Sequence, residues 1–175
     1  MVQARIAAPS PGYVGLVRIR GAVGGAIRVG QWLNGDGYAD VEHAFIYVGD
    51  GQIVEAEPGG ARLAALSEYA GSPLVWLRCP APCQARVAAA ARGLLGTPYS
   101  FADYAALATH RLHIPAPGLR RYIADTGHLI CSQLADEAAR RGGWQLYDDG
   151  RWPGYVTPGA LRELAAAQAK EGIAA

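Results

Sequence analysis

The chain has 175 residues, of which 51% are apolar and 18% charged. That is enough to bury one sizeable core, so a single domain over 1–175 is expected, and disordered, collagen-like and disulfide-stapled classes are excluded. Lys+Arg is 16 and Asp+Glu is 15, a net charge of +1, which argues against a nucleic-acid footprint or a charged tail.

No stretch approaches the roughly 18 apolar residues of a membrane span. No apolar signal core is legible before Pro9, Pro11 and Gly12 interrupt the beginning of the chain. The expectation is synthesis in a cytoplasm, with release by lysis or assembly into a larger particle as routes out. Three cysteines, Cys79, Cys83 and Cys131, are an odd number. At least one is free or pairs outside the chain.

In chain order, 13–18 (YVGLVR) predicts a short strand. Residues 21–34 are a Gly-rich helix or helix-like turn, and 35–40 a loop. The stretch VEHAFIYVGDGQIVEAEPGG holds two apolar runs around Gly49-Asp50-Gly51, a hairpin signal, and Pro58-Gly59-Gly60 closes it. Residues 73–78 predict another strand. Gln84–Leu95 predicts a helix with Val87, Ala91, Leu94 and Leu95 on one stripe and Gly96 as its stop. Ser100 with Asp103 resembles a capping box for a helix to about His110. A further helix begins at Cys131 and ends at Gly142-Gly143. Thr157 as N-cap with Pro158 behind it starts a last helix to about Lys170. Early strands and late helices give an α+β fold with a mainly antiparallel sheet packed against helices.

His43 opens the first hairpin strand and shares a face with Phe45 and Tyr47. Ala44, Ile46 and Val48 take the other face, so the hairpin is expected to be central. Such a histidine has a structural explanation by itself, but two features draw it toward chemistry. The first is Glu55-Ala56-Glu57 on the returning strand, because carboxylates inside a buried strand are costly unless paired. A two-residue Asp50-Gly51 loop pairs Ile46 with Glu55 and puts the glutamates on the face away from His43. A three-residue loop with Gly51 left-handed as a bulge pairs Phe45 with Glu55. The second register aligns polar with polar and is favoured. Glu55 then sits diagonal to His43 and accepts a hydrogen bond from it, while Glu57 lies opposite His43 near the strand end.

The second feature is Cys131 at a helix start. There the unpaired N–H groups and the positive helix end lower a thiol pKa. A histidine beside it makes a nucleophile at neutral pH. A buried, inert cysteine is the plain alternative.

Other leads are weaker. Cys79-Pro80-Ala81-Pro82-Cys83 has C-x3-C spacing but no second ligand pair, so no metal is expected; a strained disulfide or two incidental loop thiols remain. His110 and His113 flank a Pro-rich loop, and His128 precedes Cys131 by three residues as a minor candidate for the base. Gly21, Gly24 and Gly25 lack the strand–turn–helix context of a phosphate loop. Trp32, Trp144 and Trp152 are expected to pack rather than line a pocket.

Together, VEHAFIYVGDGQIVEAEPGGAR and the later LICSQLADEAARRGG resemble the circularly permuted branch of the NlpC/P60 papain-like hydrolases, in which the histidine strand precedes the cysteine helix. The hairpin is also similar to that of lecithin:retinol acyltransferase-like proteins. Those usually carry a second histidine where this chain has Glu55; a glutamate is more like the bacterial YiiX/YaeF-type amidases. Gly96-Thr97-Pro98-Tyr99-Ser100 is similar to the G-x-x-Y step of that group, and Val156-Thr157-Pro158-Gly159 to the tail of bacterial members. The resemblance covers a core of about 13–165, with 61–130 matching mostly in pattern.

The resemblance implies a permuted papain-like fold and a cofactor-free thiol hydrolase. Cys131 would be the nucleophile, His43 the base and Glu55 the orienting carboxylate. It implies an amide or peptide substrate, with bacterial cell-wall peptide first. A lipid-directed hydrolase or acyltransferase is the enzymatic alternative, and a non-catalytic structural or binding module the other.

Overall fold

The computed structural model describes residues 9–18, 40–99, 129–150 and 156–172. Within them, five strands form one antiparallel sheet: β1 (Val14–Val17), β2 (His43–Gly49), β3 (Gln52–Glu57), β4 (Gly60–Ala65) and β5 (Leu74–Leu77). Their spatial order is β4-β3-β2-β1-β5, every neighbour antiparallel. Three helices follow: α1 (Gln84–Arg92), α2 (Cys131–Arg141) and α3 (Pro158–Lys170). The fold is α+β, as the early-strand, late-helix pattern predicts.

β2 lies at the centre of the sheet and is covered on both faces. Ala44, Ile46 and Val48 join Val14, Leu16 and Val54 in a core shared with Val87 and Ala91 of α1, Leu134 and Ala138 of α2, and Leu161 of α3. Phe45 faces the other way and packs with Val17, Ile53 and Ala64. This alternation is the one expected from the sequence. It buries residues of both parities because helices cover one face and aromatic side chains the other.

The β2–β3 hairpin has the favoured register, Phe45 opposite Glu55 and Ile46 opposite Val54. Its mechanism differs from the expected one. The tight turn is Asp50-Gly51, both with positive φ (52° and 69°), closed by the Gly49–Gln52 pair. Two left-handed residues are what a two-residue turn of primed type requires. The extra residue is taken up in β2 between Tyr47 and Gly49, where the register shifts. A bulge there, and not a three-residue loop, keeps Glu55 on the face of His43.

β4 was not anticipated. Pro58-Gly59 turns the chain into a second hairpin, with Glu57 paired to Gly60 and Glu55 to Arg62. The segment GARLAA has no β-branched residue and little alternation, so its strand character comes from tertiary pairing. α1 ends at Arg92, earlier than expected, with Gly93 as its C-cap. The stripe therefore breaks: Leu94 is buried, whereas Leu95 is 42% exposed. α2 and α3 have the expected bounds. Thr157 Oγ1 accepts the Ala160 N–H at 3.0 Å, and Pro158 occupies the first turn. The 21–34 helix, most of the 35–40 loop, the helix from Ser100, His110, His113, His128, Trp32 and Trp152 lie outside the described residues. Trp144 is half-buried and packs on the helix-side core. Among the described residues, no helix is long and apolar enough to cross a membrane.

One glycine decides the aromatic face. Gly15 sits opposite Phe45 in the β1–β2 ladder, and a Cβ there would lie 2.1 Å from Phe45 Cε2. The ring lies over the bare backbone of β1. Gly15→Ala is expected to destabilise the protein by about 1–3 kcal/mol, lowering Tm by roughly 3–10 °C for a chain of this size. Adding Phe45→Leu should recover part of that loss. A thermal melt in which Gly15→Ala is neutral would contradict this packing.

Candidate active site

The site begins where β2 begins. His43 is the first residue of β2 and is 5% exposed; Glu55 in β3 has no exposed surface. Because Glu55 is diagonal to His43 in the bulge-set register, the side chains meet. His43 Nε2 donates to Glu55 Oε2 at 2.8 Å. With Nε2 committed to the carboxylate, Nδ1 is the ring nitrogen left for another partner, and Cys131 is hydrogen-bonded to the His43 side chain.

Cys131 is the first residue of α2 and 1% exposed. Four contacts fix where that helix starts. Gln133 Oε1 accepts the Ile130 N–H at 2.9 Å and caps the first turn. Ser132 Oγ donates to the Val156 carbonyl at 2.7 Å, tying the same turn to the approach to α3. Leu129 N–H donates to the Pro98 carbonyl at 3.0 Å. Neighbouring Thr97 accepts from Ala61 N–H in β4 at 2.8 Å, so the entry to α2 is linked to the sheet. The first N–H groups of a helix have no intrahelical partner and carry its positive end. Cys131 lies among them.

Charge inside this group is mutually supported. Burial alone would pull the His43 pKa down. The charge and hydrogen bond of Cys131, with the hydrogen bond and charge of Glu55, outweigh it and raise it from 6.5 to about 10. Burial likewise pushes the Glu55 carboxyl up, but the His43 hydrogen bond and charge, the Tyr69 hydroxyl and the Arg62 charge hold it below its ordinary 4.5. The imidazole is thus favoured in its charged form beside Glu55 and Cys131, in a water-poor setting where such interactions are strong. Chemically, a thiol beside an oriented imidazole at a helix start is an arrangement that can serve nucleophilic chemistry, with the helix end able to stabilise a developing oxyanion.

The structure brings His43, Glu55 and Cys131 together. Glu57 does not join them. Its partner in the sheet is Gly60, its carboxylate is 42% exposed, and it faces Arg62 Nε at 3.1 Å. Two residues around Glu55 were not singled out from the sequence. Tyr69, at the end of a 3-10 turn over Leu66–Tyr69, donates its hydroxyl to Glu55 Oε2 at 2.6 Å. Arg62 Nη2 lies 2.6 Å from Glu55 Oε1, an ion pair whose angle falls short of a hydrogen bond. The sequence signal for Arg62 was its place opposite Glu55 in a strand that was itself not anticipated. Tyr69 had no local signal.

Cys79 and Cys83 form no disulfide. Cys83 Sγ lies 3.4 Å from the Gly143 carbonyl, so the thiol bridges the start of α1 to the end of α2. Burial and the nearby Cys83 push the Cys79 thiol up to about 12, against a smaller opposing effect of Arg86. It is therefore a poor nucleophile.

A pH signature follows from these shifts. The raised His43 contributes stability that is complete below 6.5 and lost as pH climbs through about 10. The depressed Glu55 contributes stability present above 4.5 and lost as pH falls through its lower folded value. Glu55→Gln breaks the pair and is expected to cost about 3 kcal/mol. The gap to wild type in denaturant melts should be widest between pH 4.5 and 6.5 and narrow toward either extreme. A gap that ignores pH would contradict the charged pair.

Compared with known proteins, the chain matches no family model, no curated protein and no solved structure.

Proposed function

We propose that this chain is a cysteine hydrolase of the circularly permuted papain-like (NlpC/P60) kind, cleaving an amide or peptide bond. The observation that carries the reading is the His43 Nε2–Glu55 Oε2 hydrogen bond with Cys131 on the same imidazole. The order of the parts supports it: the histidine strand β2 precedes the cysteine helix α2.

In this reading Cys131 Sγ attacks the substrate carbonyl carbon as thiolate, forming a C–S bond and an oxyanion. Backbone N–H groups at the start of α2 stabilise that oxyanion. His43 holds the thiol proton and passes it to the leaving nitrogen as the C–N bond breaks. Water, deprotonated by His43, then attacks the thioester. The C–S bond then breaks, the acid leaves, and Cys131 is left as thiolate beside His43, which keeps the proton taken from water. Glu55 keeps the ring in one tautomer and stabilises the imidazolium. Bacterial cell-wall peptide is the proposed substrate class, by the resemblance of the His43 hairpin and the Cys131 helix to bacterial amidases.

The test is product analysis on peptidoglycan fragments beside phospholipid vesicles. Release of free amine from the peptide, lost in Cys131→Ala, supports the reading; cleavage of the phospholipid alone moves the substrate class to lipid. A Cys131→Ala protein that still turns over removes the nucleophile. Glu55→Gln is expected to lower kcat on the order of 10²–10⁴-fold, as when a triad loses its orienting carboxylate. Glu57→Gln should cost less than about fivefold, the loss of an exposed ion pair. The reverse ranking would give the orienting role to Glu57.

A further inference from the structure

We propose that Tyr69 is a positioning residue of this site: its hydroxyl holds the Glu55 carboxylate on His43 against the competing pull of Arg62. The proposal rests on the triad reading above and deepens it.

The two oxygens of Glu55 are drawn in different directions. Oε2 accepts from His43 Nε2 at 2.8 Å and from the Tyr69 hydroxyl at 2.6 Å. Oε1 faces Arg62 Nη2 at 2.6 Å. A guanidinium prefers to grip both oxygens of a carboxylate in a fork. The terminal torsion of a glutamate is broad, so the side chain does not lock itself against that rotation. Turning Glu55 to offer both oxygens to Arg62 would take Oε2 away from His43. The Tyr69 O–H bond opposes that turn. Burial and the Glu55 hydrogen bond hold the Tyr69 phenol well above its usual range, so it stays a donor.

Tyr69 is itself held in place. Its ring stacks on Phe45 at 5.3 Å and 12°, and lies 5.9 Å from the His43 ring. The short turn that carries it also carries Glu68. Glu68 accepts the Ala65 N–H at 3.3 Å and the Arg62 Nη2 at 2.9 Å. Glu57 meets Arg62 Nε at 3.1 Å. Two surface carboxylates therefore occupy Arg62 while the tyrosine secures the buried one. One turn of chain, Leu66–Tyr69, both restrains the rival cation and fixes the orienting group.

The experiment is a ring-15N NMR titration of His43 in wild type, Tyr69→Phe, Glu55→Gln and the Tyr69→Phe, Arg62→Gln double variant. Tyr69→Phe keeps the ring and its stacking, and a thermal melt records that the fold persists. The expected result is a fall of about one pH unit or more in the His43 pKa, tenfold in its protonation equilibrium, with a larger fall in Glu55→Gln. The double variant removes the rival and should return most of the shift. An unshifted His43 in Tyr69→Phe, with Glu55→Gln shifted, overturns the role of Tyr69 and leaves the triad standing. An unshifted His43 in Glu55→Gln overturns the triad reading and this proposal with it. A double variant that stays as low as Tyr69→Phe overturns the competition by Arg62.

Discussion

A carboxylate with no exposed surface sits in the sheet beside its central strand, and much of the surrounding structure keeps it ionised. Glu55 has a histidine and a tyrosine hydroxyl on one oxygen and a guanidinium near the other. Alone, a buried carboxylate would take up a proton or unfold its surroundings. With these partners it stays charged and sustains a positive His43, which in turn faces Cys131. Charge thus alternates from Arg62 through Glu55 to His43, whose other neighbour is Cys131. Glu55 and His43 each favour the charged form of the other.

That chain rests on register. A slip of one residue between β2 and β3 would move Glu55 to the helix-covered face, among apolar residues such as Ile46 and Leu134. The Tyr47–Gly49 bulge and the left-handed Asp50-Gly51 turn prevent the slip. The helix side is fixed as firmly. Gln133 caps α2, Ser132 ties it to Val156, and Leu129 is bonded to the 96–98 turn, which is bonded to β4. Sheet and helix are therefore anchored independently of the His43–Cys131 contact. This is the condition for an arrangement set before any substrate arrives.

Much of this was legible because the signals were local. Gly49-Asp50-Gly51 between apolar runs marks a hairpin, and matching the polar residues across it gives the Phe45–Glu55 pairing. Thr157-Pro158 marks a helix start, and Cys131 stands where an apolar segment meets helical periodicity. What escaped was non-local. β4 is a strand because Glu55 pairs with Arg62 and Ala61 is bonded to Thr97, not because GARLAA has strand propensity. Tyr69 reaches Glu55 only because the turn after that strand folds back over the sheet, against Phe45 of β2. The end of α1 was overestimated because Leu94 and Leu95 continue an apolar pattern after the helical geometry has stopped at Gly93.

The proposed chemistry requires an ion pair between Cys131 and His43 in the resting protein. It is tested most directly by the pH profile of Cys131 alkylation by iodoacetamide, followed on the Cys131 peptide by mass spectrometry, in wild type and His43→Ala. Since Cys131 is 1% exposed, the rate reports both the charge on sulfur and the access a substrate needs. Fast modification well below pH 8 is expected in wild type. In His43→Ala the reaction should slow and its midpoint move toward the ordinary thiol value of about 8.5. A slow wild-type reaction with an ordinary thiol midpoint, unchanged by the substitution, would contradict it.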